Sequence, residues 1–123
     1  MRIEKIYIAG KITGDKCYRA KFRAAQELLQ KEYGWNACCI VNPVDEVPAE
    51  WPWWRQMVLC LRLVAGCRVV AMLPDWTESR GARIEHRWAQ RLKKEMIYLT
   101  NQNIQNYGRK DDGRNDPRRE GTV

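Results

Sequence analysis

The chain has 123 residues, 45% of them hydrophobic and 30% charged, with a formal charge of +7. That is room for one domain with a core of its own and too little for two. No apolar run approaches the roughly 20 residues of a membrane span. The opening Met-Arg-Ile-Glu-Lys leads into an apolar stretch and carries no secretory pattern, so a cytoplasmic protein is expected.

In chain order, Ile3 to Ala9 alternates apolar side chains and ends at Gly10, the pattern of a first strand. Lys11 to Lys16 is a loop containing Gly14. Tyr18 to Glu32 places Phe22, Ala25, Leu28 and Leu29 at helical spacing, and Gly34 follows as a stop. Ala37 to Val41 predicts a short buried strand closed by Asn42-Pro43, and Val44 to Pro52 a loop rich in proline. Trp53 to Ala65 returns to helical spacing through Trp54, Met57, Val58, Leu61 and Val64. Cys67 to Leu73 predicts a third strand, Ser79 to Glu95 a third helix, and Met96 to Leu99 a fourth strand.

The order βαβαβαβ implies an α/β fold, a three-layer sandwich around a doubly wound parallel sheet. Four strands are expected, five at most, in a flavodoxin-like or Rossmann-like arrangement. Ligands bind such sheets at the carboxyl ends of the strands, near a topological switch point. Two loops leave strand ends there: Gly10 to Gly14 and Pro74 to Gly81. The domain is expected to span residues 1–106. After Tyr107 the sequence is charged and lacks apolar side chains until Val123, a composition that predicts disorder over residues 107–123. From Arg109 onward five basic and four acidic residues nearly cancel, so the positive surplus belongs to the domain.

Five cysteines, an odd count without a Cys-x-x-Cys pair, predict reduced thiols. Four of them, Cys38, Cys39, Cys60 and Cys67, fall in segments expected to be buried. His86 is the one histidine, which argues against a histidine-built metal site. One residue round the helix from Glu85, it is expected at the surface.

The segment from Leu73 to Ala89 is the most informative stretch. Ser79 suits an N-cap, accepting from amides of the first helical turn. Gly81 and Ala82 leave that turn bare, so a ligand can approach the backbone. Glu85 shares a face with Gly81, Ala82, Trp88, Ala89 and Leu92, and that face should pack inward. A carboxylate at the ligand end of a buried face must be paired, neutralised or used. Arg68 or an arginine of the same helix would pair it; a ligand would use it. Asp75 suits either a sugar hydroxyl or a turn. Trp51, Trp53, Trp54 and Trp76 suit base stacking, core or a subunit contact. Arg80, Arg83, Arg87 and Arg91 form either a solvated face or a groove for nucleic acid.

With both loops in view, Ile6-Tyr7-Ile8-Ala9-Gly10-x-Ile12-Thr13-Gly14, then Val41-Asn42-Pro43, then Leu73-Pro-Asp-Trp-x-x-Ser79-Arg80-Gly81-Ala82-x-x-Glu85 resemble the nucleoside 2-deoxyribosyltransferase-like superfamily. Within it the chain is nearest a group of small phage and prophage proteins and is similar to the 2′-deoxynucleoside 5′-phosphate N-hydrolases. The likeness covers about residues 3 to 99. It implies cleavage of an N-glycosidic bond, with Glu85 as nucleophile and Tyr7 beside it. It implies a ligand wrapped by Gly10, Ile12, Thr13 and Gly14, with Trp76 near it and phosphate held by Ser79, Arg80 and Gly81. A serine at position 79, where the transferases carry an acid, points to a 5′-monophosphate. That agrees with the attraction of a helix N-terminus for anions.

The resemblance implies no metal and no organic cofactor. It also implies a homodimer or larger assembly; the short apolar runs argue against a membrane partner, and nucleic acid ranks last among the expected partners. Three residues depart from the hydrolase pattern. Cys60 stands where an aspartate would protonate the leaving base, Arg68 replaces an acid, and Thr13 replaces an arginine of the first loop. Turnover and sequestration of a nucleotide are both compatible with that set, and a basic nucleic-acid-associated protein is a third reading resting on charge.

Overall fold

The two central strands of the sheet, Ile6–Ala9 and Val69–Met72, are buried along their whole length, and their residues are apolar without interruption. A computed structural model describes residues 4–100. The elements are β1 (Ile6–Ala9), α1 (Tyr18–Glu32), β2 (Ile40–Val41), α2 (Pro43–Glu46), α3 (Trp53–Ala65), β3 (Val69–Met72), α4 (Arg80–Arg91) and β4 (Glu95–Tyr98). All four strands run parallel in the order β2-β1-β3-β4. This is the doubly wound α/β sandwich that the element order predicts.

Alternation along β1 divides the core into two layers. Ile6 and Ile8 join Phe22, Ala25, Leu28 and Leu29 of α1 on one face. Tyr7 and Ala9 join Cys60 and Val64 of α3 and Ala82 and Ala89 of α4 on the other. Successive strand side chains point to opposite faces, so position 7 is committed to the α3–α4 side. The chain turns left from β1 to β2 and returns past β1 to β3, which sets the switch point between the central strands.

Gly10 makes that switch point narrow. It follows β1 directly, where Leu73 donates its amide to the Ala9 carbonyl at 2.8 Å. A Cβ on Gly10 would lie 2.4 Å from Leu73 Cδ1 and 2.8 Å from Leu73 Cβ. Leu73 is fully buried and cannot swing aside. Gly10→Ala should therefore lower stability by about 1–3 kcal/mol through overpacking, seen as a lower urea midpoint with an unchanged m-value. A midpoint equal to that of the wild type would show that Leu73 yields.

Several sequence expectations shift here. Residues Ala37–Cys39 form a 3-10 turn, so β2 is only Ile40–Val41, and Cys38 is exposed while Cys39 is half-buried. The expected loop after Pro43 begins with a helical turn, α2. Asn42 caps it by accepting from the Val44 amide at 3.0 Å, and Pro43 occupies the first helical position. The third helix ends at Arg91 instead of Glu95, because Lys93 turns the chain at φ 60° and the Lys94 amide closes on the Ala89 carbonyl at 2.9 Å. Leu92 is consequently exposed instead of inward-facing. Residue 3 of the expected first strand and the tail after residue 100 lie outside the described residues. Among those described, the sheet has four strands, and no helix is long and apolar enough to cross a membrane.

Candidate functional site

Glu85 and Tyr7 meet beneath the carboxyl end of the sheet. The Tyr7 hydroxyl donates to Glu85 Oε2 at 2.6 Å, across 78 residues of sequence. Tyr7 is fully buried and Glu85 is only 5% exposed. Burial pushes the Glu85 carboxyl up to about 7, against bonds from Tyr7 and Cys60 that favour its charged form. The Tyr7 phenol lies well above its usual range, from burial first and the neighbouring carboxylate second, so it stays a donor. Burial likewise raises the Cys60 thiol to about 12. Arg68 is not the partner of Glu85: it is exposed and pairs with Glu4 and Glu95.

A cleft of about 1090 Å³ opens above this pair, just above the roughly 300–1,000 Å³ of ligand pockets. Tyr7, Cys60 and Glu85 lie in its lining. Gly10, Ile12 and Thr13 form one wall, and Ser79, Arg80, Gly81 and Ala82 form another. The third comes from α2 with the following loop and from Trp53, Gln56 and Met57 of α3. Eight of the ten residues expected at the site converge on it. Gly14 lies outside the lining, in the same loop at φ 82°.

Trp76 is outside the lining too. Its indole stacks on His86 with centroids 4.1 Å apart, and His86 Nε2 hydrogen-bonds the Tyr98 hydroxyl at 2.8 Å. His86 is thus half-buried under Trp76 instead of standing free at the surface, while still turned from the cleft.

The start of α4 has free amides beside a capping serine. Ser79 is its N-cap, and its Oγ accepts from the Ala82 amide at 3.1 Å. The amides of Arg80 and Gly81 precede the first intrahelical bond, which Arg83 makes to the Ser79 carbonyl at 3.0 Å, and so face outward. Together with the helix dipole they favour negative charge. Gly81 also lets α4 approach α3, since a Cβ there would stand 3.1 Å from Met57 Sδ. The Arg80 guanidinium lies over the Trp53 ring at 4.8 Å.

A salt-bridge cluster missed by sequence reasoning fixes the opposite wall. Lys21 of α1 pairs with both Asp15 and Asp75 and donates to the Lys11 carbonyl at 2.9 Å. Asp75 Oδ1 in turn accepts from the Lys11 amide at 3.2 Å. Lys21 holds the Asp15 carboxyl below its usual range. The two loops are thereby tied together, and Asp75 is engaged in that tie and lies outside the cleft lining. Lys21→Met would leave two carboxylates facing each other. Losing a partly buried partner of this kind costs about 1–3 kcal/mol, so amide exchange at Lys11 should speed up by about five- to 150-fold. Unchanged exchange there would show that the loops hold without the lysine.

The family model described as a domain of unknown function, DUF4406, matches residues 4–98. The chain belongs to the DUF4406 family. No curated protein and no solved structure matches it. The part shared with DUF4406 runs through β4 and includes every residue of the cleft and both tied loops. Among the described residues, no three His, Cys, Asp or Glu side chains of this DUF4406 chain are grouped to hold a metal ion.

Proposed function

We propose that this protein is a nucleoside 2-deoxyribosyltransferase-like nucleotide-binding protein that takes a (deoxy)nucleoside 5′-monophosphate and hydrolyses its N-glycosidic bond. The observation carrying this reading is a buried carboxylate, Glu85, bonded to Tyr7 at the floor of a cleft whose rim is a serine-capped helix start. Phosphate would sit against Ser79 and the amides of Arg80 and Gly81, and the sugar over Glu85. Glu85 then forms a bond from its carboxylate to the anomeric carbon as the carbon–nitrogen bond breaks. The base leaves with the bonding pair and takes up a proton from solvent. Water adds to the same carbon, returns a proton to solvent, releases Glu85 as carboxylate and gives the sugar phosphate. Tyr7 orients the nucleophile throughout.

Cys60 supports a second reading, a protein that binds and sequesters the nucleotide without turnover. A thiol raised to about 12 by burial keeps its proton near neutrality and is a weak acid toward a leaving base. Chromatography of free base, after incubation with a panel of deoxynucleoside monophosphates beside a Glu85→Ala variant, separates the two. Release by the wild type alone supports hydrolysis. Calorimetric binding without release supports sequestration, and neither binding nor release would sink both. At least a dimer is expected, which sedimentation velocity checks.

A further inference from the structure

α4 carries a second organised feature, which starts at the cleft rim and runs away from it. At 100° per residue, Arg80, Arg83, Arg87 and Arg91 fall within an arc of roughly 80°, opposite the buried Ala82, Glu85 and Ala89. All four are exposed. No carboxylate among the described residues pairs with Arg83, Arg87 or Arg91. The contrast with α1 is informative: that helix mixes Arg19, Arg23 and Lys31 with Glu27 and Glu32, as an ordinary solvated helix does. On α4 the exposed charge has one sign and is wholly guanidinium, the group suited to bidentate phosphate contacts. The ridge is about 16 Å long, the rise of roughly five nucleotides of one strand.

An aromatic platform stands beside it. Trp54 of α3 is 65% exposed. It lies two helical turns before Leu61, whose carbonyl accepts from Trp88 Nε1 of α4 at 3.0 Å, so Trp54 is on the side of α3 that turns toward α4. A basic track flanked by an exposed indole is the combination that binds single strands, phosphates on the charges and a base on the ring.

We infer that the arginine ridge of α4, with Trp54, is a docking surface for single-stranded DNA that leads to the phosphate end of the cleft. The inference does not depend on nucleotide hydrolysis. The sequence ranks nucleic acid last because charge alone suggests it; the shared arc, the absent acids and the neighbouring indole are structural.

The test is binding of a labelled 12-nucleotide single strand by the full chain across a salt series. Four released counterions give a slope of log K against log salt of about −3, or roughly fiftyfold weaker binding at 200 mM than at 50 mM. The double variant Arg87→Gln, Arg91→Gln should halve the slope, and Trp54→Ala should weaken binding about tenfold. Both change exposed side chains, so melting temperatures should stay at the wild-type value. Binding of mononucleotide should also be unaffected, which separates failure of this surface from failure of the cleft. Three results would overturn the inference: no binding at 50 mM salt, equal slopes for wild type and variant, or polyglutamate competing as well as the strand. Trp54 already shielded from acrylamide in the DNA-free protein would overturn it as well, by showing a second copy seated there.

Discussion

Glu85→Gln should abolish release of base, lowering kcat/KM by at least about a thousandfold, because an amide cannot attack the anomeric carbon. The pH profile of the wild type gives the sharper signature. The nucleophile works as a carboxylate, and burial holds Glu85 up to about 7. The limb of kcat/KM should therefore climb from acid pH and level off above about 7, unlike a free carboxylate, which is ionised well below. Tyr7 favours the charged form by donating to it at 2.6 Å. Tyr7→Phe removes that donor and must move the limb to higher pH. A limb near the ordinary carboxylate range, or one that Tyr7→Phe shifts downward, would remove Glu85 from the reaction.

Most of this site was legible because short-range patterns carried it. Ser79 as N-cap follows from its place before the helical spacing, and the burial of Glu85 follows from its shared face with Ala82 and Ala89. The contact from Tyr7 to Glu85 bridges 78 residues; periodicity puts each on a buried face but cannot say that the faces meet. The tie of Lys21 to Asp15 and Asp75 had no signal at all, since ion pairs between loops follow no spacing. Elsewhere the misses have local causes. Ala37-Cys38-Cys39 looks like a strand by apolar content, yet three apolar residues do not distinguish a strand from a tight turn. The end of α4 escaped notice because Lys93 takes the left-handed position where glycine usually marks a helix stop. Only α2 had a readable sign that was passed over: asparagine then proline, with acids in the first turn.

The same Glu85→Gln variant should be more stable than the wild type above neutral pH, and by a margin that pH controls. Glu85 titrates at about 7 in the folded protein against 4.5 for an ordinary glutamate, so the folded state holds its proton more tightly than the unfolded chain. The contribution of that proton to stability is complete below pH 4.5 and is lost as pH rises through 7. By linkage the full loss is on the order of 3 kcal/mol. A neutral amide of nearly equal volume has no such dependence. The two proteins should therefore have similar melting temperatures near pH 4.5 and diverge to roughly 10 °C by pH 8.5, with the glutamine form higher. Denaturation across that range decides it. A constant gap would mean that Glu85 is matched by its surroundings and serves packing. A gap that opens with pH would mean that the fold holds an ionised carboxylate at a cost in stability, which a core has no reason to retain and a nucleophile requires.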